Sequence, residues 1–261
     1  MTQGSLHTGF TGSPLVRLLA RLTEADVPDA KPAFAERLSH WLSWTDAISL
    51  SAALNGPAAT AAQPVARAGA STEEAEFARM RSALVNAVTE DSTSAPDHGR
   101  TSRRAPVRDT TPMDTTAADT TLSFTPHRSR YFAKQQAMEL GIGPLRARLR
   151  AALAGRSPAM AQLAAVDAVM EQVLGEQERT LLSTVPVLLE KHFERLRQAH
   201  LATLAPIASM APDEAPPPAE AATAPPWLEE FRRDMQSVLL AELDLRLQPV
   251  EGLLEALRTA T

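Results

Sequence analysis

Two polar segments divide this 261-residue sequence into three stretches that are able to bury an apolar core. Residues 92–124 contain twelve serines and threonines and very few large apolar side chains, whereas residues 209–226 are rich in proline and alanine. A segment with so little apolar surface cannot offset the entropy that it loses on ordering. The sequence therefore predicts a disordered Ser/Thr-rich linker and a second, semi-rigid Pro/Ala-rich linker.

The three remaining stretches have the composition of helices. Alanine, leucine, arginine and glutamate dominate them, and aromatic residues make up only 4% of the chain. Strands favour β-branched and aromatic residues, so helix is the expected structure. We predict an all-α fold with a small helical block at residues 9–91, a long-helix block at residues 125–208 and C-terminal amphipathic helices at residues 227–258.

The N-terminal block carries two closely spaced tryptophans. Ser13 and Pro14 have the pattern of an N-cap followed by proline in the first turn. A second predicted helix begins at Pro32 and carries both Trp41 and Trp44, which lie three residues apart and so share one side of it. We expect the pair to form the core of a small helical domain, and the alternative is a stacking platform for a ligand.

The long-helix block contains the longest apolar stripe, between residues 163 and 201. Leu174, Leu181 and Leu188 are seven residues apart, which is the spacing of a heptad, although the repeat does not persist. Pro186 is expected to kink the stripe. These features predict a long kinked helical hairpin or a short coiled coil.

Two further prolines are expected to interrupt helices. Gly143 and Pro144 lie within an otherwise helical pattern and predict a break or kink. Pro249 similarly predicts that the C-terminal segment consists of two helices, of which the second is short.

The C-terminal segment has an amphipathic pattern that must bury its apolar side, either on the body of the protein or on a partner. Together with the apolar stripe, it supplies the surface that we predict to bind protein. The predicted partner-binding residues are Leu174, Leu181, Val185, Leu188, Leu196, Trp227, Phe231, Met235 and Val238.

Charge is distributed unevenly along the chain. Residues 128–156 contain seven basic residues and one acidic residue, whereas the segment from residue 206 onward contains four basic and ten acidic ones. The basic stretch predicts a helical face that binds nucleic acid through phosphates; alternatively, it contacts the acidic tail or is merely solvated. The predicted basic face consists of Arg128, Arg130, Lys134, Arg146, Arg148 and Arg150.

The sequence has no recognisable catalytic pattern. Its six histidines lack the i, i+3 or i+4 spacing of metal ligands, and it has no cysteine, no P-loop and no nucleophile elbow. We expect no catalytic residue, no cofactor and no metal, hence a protein that is not an enzyme. The N-terminus lacks the features of a secretory signal, and no apolar run reaches transmembrane length, so a cytoplasmic location is expected.

Four stretches are distinctive as a set, namely GFTGSPLVRLL, FAERLSHWLSWTDAISLSAALNG, SRYFAKQQAMELGIGPLRARLRAAL and TVPVLLEKHFERLR. With them the chain resembles a proteobacterial family of uncharacterised proteins that is known as a domain of unknown function. The resemblance covers the helical blocks and omits the linkers. It implies an association with gene clusters for envelope proteins, including coiled-coil membrane proteins and peptidoglycan-binding domains.

These observations favour a non-enzymatic helical adaptor or assembly protein that binds itself or a coiled-coil partner. The resemblance further implies a cytoplasmic accessory of a bacterial envelope assembly. Nucleic-acid binding by the basic face is the alternative function.

Overall fold

The structure is a computed structural model that describes residues 13–24, 34–55, 70–90, 123–208 and 225–259. Within these ranges the chain forms helices joined by turns, which confirms the all-α prediction. Both predicted linkers lie outside the described residues except at their ends, so their disorder stays a prediction. The predicted start of a helix at Pro32 also lies outside them.

The helices are numbered in chain order. They are α1 (Pro14–Thr23), α2 (Phe34–Trp41), α3 (Trp44–Asn55), α4 (Ala70–Glu90), α5 (Thr125–Ala154), α6 (Pro158–Leu182), α7 (Val185–Ala208) and α8 (Pro226–Thr259).

Helices α5 and α8 pack against each other at the centre of the protein. Buried side chains recur at helical spacing along α5 from His127 to Leu153. Along α8 they recur from Trp227 to Leu257. Each large apolar side chain that is buried contributes about 1.5–3 kcal/mol. The packing of these two stripes therefore supplies much of the stability of the fold.

Helices α1, α4 and α7 surround this central pair. Leu15 of α1, Val88 of α4 and Phe193 of α7 belong to the same hydrophobic core as the buried residues of α5 and α8. Helices from all three predicted blocks thus share one core. Helix α6 packs on another side of α5, and α2 and α3 pack on α6.

The predicted breaks at Pro144 and Pro249 are wrong, because α5 and α8 each continue through their proline. An interior proline costs a helix about 3 kcal/mol through the lost hydrogen bond and the steric clash. Buried residues lie on both sides of each proline and belong to one core, so their packing outweighs that cost.

The apolar stripe is divided between α6 and α7 rather than carried by one kinked helix. Helix α6 ends at Leu182, and α7 begins at Val185 after a two-residue turn. Pro186 therefore lies in the first turn of α7, where its missing N–H removes no hydrogen bond. A helical hairpin is formed instead by α5 and α6, and Ser157 caps α6 by accepting a hydrogen bond from the Met160 N–H at 3.3 Å.

The predicted helix that carries both tryptophans is also divided. The Ser43 hydroxyl accepts a hydrogen bond from the Asp46 N–H at 3.2 Å, and the Ser43 N–H donates to the Asp46 carboxylate at 3.1 Å. This reciprocal capping satisfies free N–H groups at a helix start. It begins α3 at Trp44, so Trp41 and Trp44 lie on different helices.

Candidate interaction surface

Helix α3 is covered on one side only. It packs on α6, and Gln162 of α6 donates a hydrogen bond to the Leu54 carbonyl oxygen near the end of α3. On the opposite side Trp44 is 82% exposed, and Ile48, one turn further along, is 54% exposed. The prediction that the tryptophans form a small core is therefore wrong for Trp44, whereas Trp41 is half-buried.

The exposed side of α3 carries no charge. The only charged residue of this helix is Asp46, whose carboxylate is held by Ser43. Protein interfaces are depleted of charged residues at their centre and enriched in aromatic ones, and tryptophan is among the residues enriched at energetic hot spots. The exposed side of α3, which we define by Trp44, Ile48, Ser51 and Ala52 and call the α3 face, has this composition.

Most of the predicted partner-binding residues lie in the protein's own core. Helix α8 packs on α5, α1, α4 and α7, so its apolar side is buried on the body of the protein. These side chains are therefore not offered to a partner in this structure. The buried ones are Val185, Trp227, Phe231, Met235 and Val238, and Leu196 packs against the core while partly exposed.

The other predicted residues of this surface differ in exposure. Leu174 and Leu188 are half-buried. Leu181, at the end of α6, is exposed. Of the predicted set, only Leu181 thus presents most of its side chain to solvent.

Three arginines of the predicted basic face contact carboxylates of neighbouring helices. Arg146 and Arg150 both reach Asp167 of α6, at 2.6 and 3.2 Å. Arg148 reaches Glu73 of α4, at 2.8 Å. Because α5 lies at the centre of the fold, successive arginines face different helices. Their charges are therefore compensated within the chain rather than gathered on one open surface.

The N-terminal part of the predicted basic face is arranged differently. The Arg128 guanidinium lies 6.0 Å from the centre of the Phe132 ring. Arg130 and Lys134 line a small crevice together with Arg232 of α8. The structure therefore does not bring these residues together with the arginines nearer the end of α5.

A buried polar cluster joins α5 to α8. Glu242 is fully buried and accepts hydrogen bonds from the Tyr131 hydroxyl at 2.6 Å, the Gln135 amide at 3.0 Å and the Arg246 guanidinium at 2.9 Å. Burial and the neighbouring Glu242 raise the pKa of Tyr131, so its phenol stays protonated and donates. No sequence pattern indicated this cluster, although Glu242 occupies a position within the apolar stripe of α8.

A second polar group ties α1, α7 and α8 together. The His192 ring contacts Asp234 through Nε2 at 2.7 Å, and Arg195 donates to its Nδ1 at 3.0 Å and to the Leu22 carbonyl oxygen at 2.7 Å. A general base needs a ring nitrogen that can take a proton from the reacting group. Both nitrogens of His192 are occupied, so this pair is a structural connection.

The described part of the chain also lacks two other kinds of feature. Its His, Asp and Glu side chains form no group of three or more that could hold a metal ion. None of the described helices combines the length and apolar character needed to cross a membrane.

The fold and its exposed face define an all-α protein with one central core and an uncharged apolar helix face. The chain belongs to the family described as "Protein of unknown function (DUF3348)", whose profile matches residues 1–259. This confirms the prediction of an uncharacterised family. Searches among curated proteins and solved structures find no match.

Proposed function

We propose that this protein is a non-enzymatic helical assembly protein that binds a second copy of itself through the α3 face. The observation that carries the proposal is the 82% exposure of Trp44, with Ile48 beside it and no charge on that side of the helix. A tryptophan side chain in water forgoes the large gain in free energy that its burial gives. A partner that covers α3 recovers that gain.

The arrangement of side chains along α3 favours a second copy as the partner. Its exposed side carries the bulky Trp44 and Ile48 in the first half and the small Ser51 and Ala52 in the second half. A two-fold axis makes the same patch self-complementary. Antiparallel pairing of two α3 helices places the bulky half of each against the small half of the other.

The wider role that we propose is that of a cytoplasmic accessory of a bacterial envelope assembly. Support comes from the resemblance of the four sequence stretches to proteins associated with envelope gene clusters. A coiled-coil partner is the alternative occupant of the α3 face. Because the apolar side of α8 is buried within the core, we propose the contact on α3 rather than on the C-terminal segment.

Cysteine cross-linking tests the proposed contact, because the natural chain contains no cysteine. Ile48→Cys introduces a single thiol on the α3 face, and we expect a short bis-maleimide to link two copies efficiently. Leu140→Cys is the matched control, since Leu140 on α5 is 70% exposed and thus more accessible than Ile48. Equal cross-linking of the two variants contradicts the proposal, because random collision accounts for it.

A further inference from the structure

The α2–α3 segment, which comprises residues 34–55, lies outside the central core. Both of its helices pack on α6. None of its described side chains is buried, and none belongs to the hydrophobic core or packs against it. The helices that precede and follow it in the chain are anchored, because Leu22 of α1 and Val88 of α4 are core residues. The segment is therefore able to leave α6 while the central core stays intact.

The side of α6 that receives this segment carries a buried apolar residue of its own. Gln162 donates a hydrogen bond to the Leu54 carbonyl oxygen, which places the end of α3 near the start of α6. Val173 lies about three turns further along and hence on the same side of α6. It is only 6% exposed although it does not belong to the central core. Its cover therefore comes from the helices that pack on this side, α2 and α3.

Self-association through the α3 face, on which this inference rests, brings a second α3 beside the first. Packed helices have axes about 8–10 Å apart. In the antiparallel pair each α3 therefore lies between an α6 and the α3 of the other copy. Because the two copies are identical, the contacts of α6 are the same whichever chain supplies the α3 that covers it.

The connections to the rest of the chain are long enough for either arrangement. Nine residues, 25–33, join α1 to α2, and fourteen residues, 56–69, join α3 to α4. An extended chain spans about 3.3 Å per residue, so these connections reach roughly 30 and 45 Å. Exchange in an antiparallel pair reverses α3 and moves each of its ends by about 20 Å, which combines the helix length with the separation of the axes. Both reaches exceed this distance.

We propose that two copies of this protein exchange their α2–α3 segments, so that α6 of each copy binds α3 of the other. Exchange of identical segments is a low-cost route to a dimer, because every contact within the single chain is used again. Exchanged and unexchanged dimers have the same contacts and therefore coexist in comparable amounts. The exchanged dimer separates only when both α3 helices leave α6, so exchange makes the assembly long-lived although the α3 face contains few residues.

Cross-linking between isotopically distinct chains tests the exchange. The double variant Leu54→Cys/Gln162→Cys places two thiols at the contact between α3 and α6, in a chain that has no other cysteine. Unlabelled and heavy-isotope-labelled chains are mixed in equal amounts in urea, refolded together at a concentration where the parent dimerises, and treated with a short bis-maleimide. Mass spectrometry then identifies the linked peptides that pair residue 54 with residue 162. A pair with one light and one heavy peptide joins two chains.

We expect about a quarter of these peptide pairs to be mixed, because half of the dimers contain one chain of each kind and about half of those are exchanged. In the unexchanged dimer, residues 54 and 162 of different chains lie at opposite ends of the antiparallel pair, beyond the reach of the reagent. A fraction of mixed pairs no higher than after refolding at a concentration where the parent is monomeric overturns the exchange. If the parent nevertheless sediments as a dimer, only the exchange is wrong; a parent that sediments solely as a monomer overturns the α3 face as well.

Trp44→Ser/Ile48→Ser, added to the cysteine pair, is the matched control. It removes the apolar contact between copies and retains the contact between Leu54 and Gln162, so we expect links within one chain and few mixed pairs. Mixed pairs as frequent as those of the cysteine variant alone contradict exchange through the α3 face. Both cysteine substitutions lie at exposed or half-buried positions outside the central core, so the variants should fold like the parent.

Discussion

The Tyr131 hydroxyl donates a hydrogen bond of 2.6 Å to Glu242 across the interface of α5 and α8. The carboxylate is fully buried, so it needs this donor together with Gln135 and Arg246. A buried charge is tolerated only where it is paired and hydrogen-bonded. These hydrogen bonds therefore fix the position of α8 along α5, whereas apolar packing alone would allow one helix to slide along the other.

Tyr131→Phe removes that donor and keeps the ring. We expect the free energy of unfolding, measured in urea, to fall by about 1–3 kcal/mol, because the buried carboxylate loses a hydrogen bond. Asp244→Asn is the control, since it breaks an exposed ion pair with Arg81 that contributes at most about 1 kcal/mol. A Tyr131→Phe variant as stable as the parent contradicts this role.

Arg148→Ala tests whether the basic stretch of α5 is structural. Its partner Glu73 is buried, so loss of the arginine should lower the free energy of unfolding by about 1–3 kcal/mol. In a double-mutant cycle with Glu73→Gln, the two losses should be less than additive. A fully additive result in urea unfolding shows that the two side chains do not stabilise each other.

His127 makes stability depend on pH in acid. Burial, assisted by repulsion from Arg130 and Arg232, lowers the pKa of His127 to about 4 from 6.5. Between pH 4 and pH 6.5 the unfolded chain binds more protons than the folded protein does, so the free energy of unfolding rises with pH. The stabilising contribution of neutral His127 is therefore complete above pH 6.5 and is lost as pH falls toward 4. Its full size is about 3 kcal/mol.

His127→Phe should remove this part of the acid sensitivity. Urea unfolding of parent and variant at pH 7 and pH 4.5 gives the loss of stability of each, and the parent should lose more. His40→Gln, at an exposed position, should behave like the parent. Equal losses for the parent and His127→Phe rule out a pKa of His127 near 4 in the folded protein.

Pro144→Ala should stabilise the protein. Helix α5 passes through Pro144 without a break, and the proline is exposed and lacks the N–H that an interior helical position uses. We expect the free energy of unfolding in urea to rise by about 1–3 kcal/mol. Pro126→Ala, in the first turn of the same helix, should change it much less. A loss of stability in Pro144→Ala shows that the proline serves the packing.

Helical character was predictable because it depends on local composition, and so was the start of α1 at Pro14. The continuity of α5 and α8 was not predictable from the sequence. Local patterns show that Pro144 and Pro249 destabilise a helix, but they do not show the tertiary packing on either side of each proline that outweighs this loss. The break before Trp44 depends on Ser43 and Asp46, a short capping pattern that the tryptophan spacing obscured.

The candidate surface was predictable only in part. The amphipathic pattern of α8 showed that Trp227 and Phe231 must be buried, but it did not show on what. Whether a helix packs on its own chain or on another is decided by contacts between distant segments. The exposure of Trp44 has the same origin, because it depends on which side of α3 rests on α6.

Sedimentation velocity over a range of protein concentrations tests the proposed self-association most directly. We expect the parent to shift from monomer to dimer as concentration rises, and Trp44→Ser/Ile48→Ser to remain monomeric. At a concentration where the parent is monomeric, the two proteins should have the same urea unfolding curve, since association itself stabilises the folded state. Leu140→Ser should dimerise like the parent, because Leu140 lies outside the α3 face. A parent that stays monomeric throughout, or a double variant that dimerises like the parent, contradicts assembly through α3.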